Sequence, residues 1–240
     1  MVFAGLRAIL AFLTIIPVRG GSLEDAARSA WLFPLVGGAI AILPGVIGDV
    51  MKNQLFYSPH VSAAVALFLL AVLSGFHHLD GLLDVGDALM FRGTREERIN
   101  VMHDTGNGAG GFGLGFFVLL ISYAALVWTP NLLLALVVAE ALAKFSMVLG
   151  LYAGTRSHQG IGDTFLRITK GNKGMLALAI ILTSIVVSPL GLSGGILMVV
   201  AAAFSLLLIW YFNRTFGGMG GDTFGALNEL TRMIILLAML

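Results

Sequence analysis

The sequence predicts an all-α membrane protein, a polytopic bundle of about six to eight transmembrane or re-entrant helices in one domain over residues 1–240. Two observations carry this. Apolar side chains make up 58% of the residues and charged ones only 11%, where a soluble domain carries roughly a quarter charged. Mean hydropathy is +0.96. A core of this length cannot hide that surplus, so lipid must solvate part of it. The apolar residues also gather into runs near the roughly 20 residues that cross a bilayer.

The elements follow in order. Residues 3–17 form a short apolar run broken by Arg7, placed in the interface or partway into the bilayer. With no basic leader and no Ala-x-Ala cleavage site, this segment is read as part of the mature protein. Spans are expected at about 30–50, 60–79, 111–129, 131–152, 174–190 and 193–212, and the tail 225–240 starts polar and ends apolar as a short last span. Charge sets their direction. Segments 18–29 (Arg19, Arg28), 77–108 (Arg92, Arg95, Arg98), 153–173 (Arg156, Arg167, Lys170, Lys173) and 211–224 (Arg214) are basic. The alternate connections are nearly bare, apart from Asp49 and Lys52. Lys and Arg bias loops toward the cytoplasm, so a multi-pass protein of the cytoplasmic (inner) membrane is expected, with its chemistry on the cytoplasmic face. Of the 13 acidic residues, only Asp49 and Glu140 fall clearly outside the inward segments.

Composition excludes some chemistry. There are no cysteines, which removes disulfides and thiolate metal sites. A net charge of +1 argues neither way about nucleic acid, and no nucleic-acid partner is expected. Self-association is left open.

The densest chemistry lies in FHHLDGLLDVGDALMFRG, residues 76–93. At about 100° per residue, Asp80, Asp84 and Asp87 fall within roughly 60° of one another on a helix. Three anions on one face near a membrane repel strongly, and a cation relieves the conflict. Oxygen ligands favour magnesium, or manganese in its place, over a soft metal. The plainer alternative is a solvated helix end pairing with Arg92 and Arg95. His77 and His78 are adjacent and point to different faces, which disfavours joint ligation of one ion. Their expected role is polar contact with substrate or interface.

Three further segments join the candidate list. Arg92, Arg95 and Arg98 suit phosphate, which guanidinium meets bidentately, or serve topology alone. Asp104 and Thr105 precede the glycine-rich run GNGAGG at 106–111, Asn107 within it, where backbone amides at a helix entry offer an anion site. Gly113 and Gly115 read as helix packing. After a glycine turn come Asp222, Asn228 and Glu229, candidates for metal or substrate, with Asp222-Thr223 also suited to capping the last helix. The 153–173 loop offers Arg156, His158, Asp163, Arg167 and Lys170 to a polyphosphate or nucleotide. Glu140 and Lys144, four apart inside a span, read as a buried ion pair.

Two reaction classes fit. One is a membrane phosphotransferase, with metal-bound carboxylates clamping a diphosphate. The other is a cation-coupled transporter, which predicts midplane acids and a two-half repeat. The acids gather at one interface and no repeat is visible, which favours the enzyme.

The chain also resembles the adenosylcobinamide-GDP ribazoletransferase (cobalamin synthase) family. The resemblance runs through FLTIIPV at 12–18, FPLVGGAI at 33–40, HLDGLLDVGDAL at 78–89, EERINVMHDTGNGAGGFG at 96–113 and GGDTFGALNEL at 220–230. It implies a magnesium-dependent transfer in the cytoplasmic membrane. The 3′-hydroxyl of α-ribazole (or its 5′-phosphate) attacks the cobinamide-bearing phosphorus of adenosylcobinamide-GDP, and GMP leaves. On that resemblance Asp80, Asp84 and Asp87 hold the metal, Asp104 matches the acid of a Met-x-Asp-Ser/Thr motif, and Asp222 that of a Gly-Asp-Thr motif. Asn228 and Glu229 belong to the helix that follows. One of the triad is expected to activate the hydroxyl. Two departures stand out: His103 occupies a position where the family pattern has Lys, and Gly-Asn-Gly-Ala-Gly replaces Arg-Ile-Gly-Ala. The acidic spacing also resembles CDP-alcohol phosphotransferases, but their Asp-Gly-x-x-Ala-Arg is not present.

Overall fold

The computed structural model describes residues 2–18, 20–104, 106–156 and 160–240, so Arg19, Thr105 and His158 lie outside the described residues. Among the described residues the chain is helical, and its only β contact is an isolated bridge between Arg156 and Met219. The helices are α1 (Val2–Leu13), α2 (Leu23–Arg28), α3 (Phe33–Asn53), α4 (Pro59–Leu73), α5 (His77–Met90) and α6 (Arg95–Met102). They continue as α7 (Ala109–Trp128), α8 (Leu132–Ala153), α9 (Ile161–Thr169), α10 (Lys173–Val187), α11 (Leu192–Phe216) and α12 (Gly221–Ala238).

Among the described residues five helical stretches are long and apolar enough to cross a membrane, Ala30–Asn53, Ala109–Trp128, Leu132–Ala153, Lys173–Leu190 and Leu192–Phe216, and the bent pair α4–α5 makes a sixth if it counts as one span. The expected span over 60–79 is not straight. It breaks after α4, and α5 leaves at 92°. The cause is local: Gly75 (φ +65°) and Phe76 (φ +58°) are both left-handed, which ends a right-handed helix and redirects the chain. The 15-residue α4 packs against α3 and α7, and α5 packs between α7 and α12. The expected terminal elements are present as α1, only 12 residues long, and α12, which is mostly buried.

The bundle is built around α8, buried from Ala135 to Leu151 with few interruptions and packed closely against α3. By contrast α10 and α11 turn Ile181, Ile185, Val199 and Leu207 outward, the face a lipid-facing helix must present. At the end opposite α5, Asp49 accepts hydrogen bonds from the backbone amides of Leu132 and Leu133 at 2.9 Å each. Lys52 Nζ donates to the Thr129 carbonyl at 2.8 Å. The two charges that interrupt the bare side therefore satisfy the orphan amides opening α8 and a carbonyl closing α7.

Candidate active site

Glycines decide where α5 sits. A Cβ at Gly81 would stand 2.7 Å from Asp222 Cα, and one at Gly225 would stand 2.8 Å from the His78 carbonyl oxygen. On the other side, a Cβ at Gly86 would stand 2.9 Å from Gly111 Cα. Helix α5 is thus wedged backbone to backbone between α12 and α7, a separation that no larger residue permits. That wedge brings Asp222 beside the acidic face of α5.

Of the predicted triad, Asp80 is exposed, and Asp84 and Asp87 are half-buried. Burial, then the charges of Asp222, Asp80 and Asp87, push the Asp84 carboxyl up to about 7. Helix α5 is none of the five continuous stretches but the second half of the bent α4–α5 pair, and Asp84 is there a carboxylate crowded by carboxylates. Asp87 has a different attachment. It accepts hydrogen bonds from the backbone amides of Gly108 at 2.7 Å and Gly111 at 2.8 Å. The glycine run does form an anion site at a helix entry, and the anion in it is the protein's own Asp87. Cβ atoms at 108 and 111 would fall 2.5 Å and 2.6 Å from that carboxylate.

Thr223 Oγ1 accepts from the Gly220 amide at 2.8 Å and closes the start of α12. The expected capping role falls to Thr223, and the Asp222 carboxyl faces α5. His103, at the end of α6, lies close enough for its charge to act on Asp222. Asp104 follows it, exposed, and Asn107 is exposed just before α7. The donor set Asp80, Asp84 and Asp222 is all oxygen, and among the described residues no lysine or arginine is ion-paired to it, which fits a hard divalent cation. Among the described residues no three of the acids and histidines stand in a ready ligating group.

One concavity adjoins this face and a second lies between α6 and α11. A cavity of about 390 Å³ is lined by Asp80 and Asp222, by His77 and His78, and by apolar residues of α1, α3, α8, α9 and α12. His77 is exposed and His78 buried, as opposite faces require. The other is a shallow groove of about 600 Å³ where Arg95, Arg98 and Arg214 meet Trp210 and Tyr211. Arg214 lies over the Trp210 ring, 5.7 Å from its centroid, and Arg95 donates to the Arg214 carbonyl at 3.3 Å. Arg92 is exposed and outside that groove. Sequence reasoning used Arg214 only for topology, because its partners come from α6.

The remaining candidates are placed elsewhere. Arg156 and Arg167 both pair with Asp163, the latter at 3.6 Å, and Lys170 is exposed at the end of α9. Asn228 and Glu229 lie within the bundle, fully sealed. There Lys144 Nζ donates to Glu140 Oε2 at 3.1 Å and to Asn228 Oδ1 at 2.7 Å. Arg232 pairs with Glu140 at 3.1 Å and with Glu229, while Asn228 donates to Glu229 at 3.2 Å. The Glu140–Lys144 pair is present as expected. Arg232 was missed, although an arginine in the apolar tail three residues after a glutamate is itself a signal of pairing.

Comparison with known proteins extends this picture. Residues 5–240 match the family model described as cobalamin-5-phosphate synthase. An adenosylcobinamide-GDP ribazoletransferase of Pyrococcus abyssi is 34% identical, over 95% of this chain and 94% of that protein. Those of Thermococcus kodakarensis and Methanocella arvoryzae are 33% and 31% identical, over 98% and 97% of this chain and 97% and 93% of theirs. No solved structure matches at a significant level.

Proposed function

The chain belongs to the cobalamin-5-phosphate synthase family, and from that premise we propose that it joins α-ribazole, or its 5′-phosphate, to adenosylcobinamide-GDP with release of GMP. The acceptor's 3′-oxygen forms a bond to the cobinamide-bearing phosphorus. The bond from that phosphorus to the bridging oxygen breaks, and GMP departs with the oxygen. The hydroxyl proton passes to a carboxylate of the acidic face.

The observation that carries this reading is the meeting of Asp80, Asp84 and Asp222 across a glycine-packed junction. Among the described residues no lysine or arginine is ion-paired to this acidic face, which suits a diphosphate that arrives with metal. Asp80, Asp84 and Asp222 would hold magnesium, or manganese, which when bound supplies neutralisation of the diphosphate charge. Arg95, Arg98 and Arg214 bind the phosphates of the nucleotide portion, since guanidinium matches their geometry and their groove carries an aromatic surface beside it. Asp87 holds the entry of α7 in place and so fixes the acidic face rather than the substrate.

The site lies at the basic end of the bundle, which supports a cytoplasmic-membrane protein with its active site facing the cytoplasm. The test is GMP release by membranes containing the protein. Release is expected from adenosylcobinamide-GDP only when α-ribazole and magnesium are both present. Release without the acceptor, or turnover of CDP-diacylglycerol with a small alcohol instead, would overturn the proposal.

A further inference from the structure

The 390 Å³ cavity beside the acidic face has a composition that the diphosphate does not explain. Its polar rim is Asp80, Asp222 and His77, and its body is aromatic. Phe12, Phe33 and Phe165 form a contiguous wall, with ring centroids 4.9 Å apart for Phe12 and Phe165 and 6.0 Å for Phe33 and Phe165. Phe224 and Met147 complete it. Only 7% of His78 is exposed, and its Nδ1 has no hydrogen-bond partner among the described residues, so this wall holds one unfilled polar function.

We infer that this cavity seats the flat aromatic base of the acceptor nucleoside, with the ribose at the rim beside Asp80 and Asp222. The inference rests on the proposed acceptor, α-ribazole. Its base is a benzimidazole, a two-ring aromatic with a single free ring nitrogen. Such a group gains from offset stacking on phenylalanine rings and leaves almost no polar atom to be stranded in an apolar wall. Guanine, the other base in the reaction, carries several donors and acceptors that this wall would leave unpaired. A corrin ring is too large for the volume. The shared rim residues also orient the reaction: a base held among the rings leaves its ribose hydroxyls at the carboxylates, where the phosphorus must come.

Ala11 and Phe165 provide the test, because Ala11 is an exposed lining residue whose enlargement intrudes on the cavity without cutting into the core. Ala11→Trp should raise the KM for α-ribazole at least about tenfold and leave the KM for adenosylcobinamide-GDP within about twofold, because the indole occupies the space of the base. Phe165→Leu should move the same constant in the same direction by less. Equilibrium binding of α-ribazole to the purified protein, measured without the co-substrate, should weaken in parallel. Wild-type ribazole binding in both variants, or equal rises in both KM values, overturns the assignment. Weakened ribazole binding in a protein that never releases GMP upholds the pocket and rejects the transferase reading instead.

Discussion

Asp84 and Glu140 are carboxylates of one helical bundle in opposite electrostatic circumstances. Glu140 is buried in α8 with Lys144 and Arg232 in contact and Glu229 nearby, two acids balanced by two bases. Asp84 is half-buried and faces Asp222, Asp80 and Asp87, with no base paired to it among the described residues. The first arrangement is closed. Each charge has a partner inside the protein, and the desolvation cost is offset within the network. The second is open, and only something brought from outside can complete it. The difference lies in internal pairing, which neither burial nor spacing reveals.

Removing one charge from each cluster should therefore give different kinds of loss. Arg232→Met leaves Glu229 and half of Glu140 without a cation in a dry interior, and should lower unfolding stability by about 3–5 kcal/mol, read as a shifted denaturation midpoint in detergent. Asp84→Asn should do the reverse. GMP release falls by on the order of 10²–10³-fold, while the thermal midpoint holds or rises because a repelled charge has gone. If Asp84→Asn unfolded the protein and kept its specific activity, the comparison would be inverted.

Asp87 tests the boundary between the two classes, being an acid of the open face whose oxygens both accept from the amides opening α7. Asp87→Ala should cost about 1–2 kcal/mol of stability, the value of a lost helix cap, together with activity. A pure activity loss at unchanged stability would return it to the metal set.

The smallest effect is a pH dependence. Asp84 has its folded-state value pushed up to about 7 from 3.8, so between these values the native state binds more protons than the unfolded one. Its contribution is present at low pH and is lost as pH rises through about 7. Without divalent cations, the thermal midpoint should decline between about pH 4 and pH 7 and level off above. Asp84→Asn should flatten that slope, and added magnesium should offset it. A decline that persists unchanged in Asp84→Asn would assign it to another group.

Much of the molecule is legible one residue at a time. Length, hydropathy and the alternation of basic segments give an all-helical membrane bundle, because crossing a bilayer needs about 20 apolar residues and lipid punishes exceptions. The pairing of Glu140 with Lys144 is legible because a helix brings i and i+4 together. The turn after α4 is less so. Gly75 hints at it, but Phe76 in a left-handed conformation does not follow from its residue type. Asn228 and Glu229 show the limit most clearly. Their place in an acidic, glycine-led segment resembles a site, yet the helix turns them inward toward Lys144 and Arg232.

The sequence by itself determined the fold class, the family, and the face of α5 on which Asp80 and Asp84 stand, since each follows from local periodicity, composition or motif. Only the tertiary structure decided which acids are paired with bases inside the protein and which crowd one another instead. Compensation depends on distances between helices far apart in the chain. Asp222 reaches Asp84 because glycines let α5 and α12 touch, and Glu229 is neutralised because α8 and α12 share a buried interior.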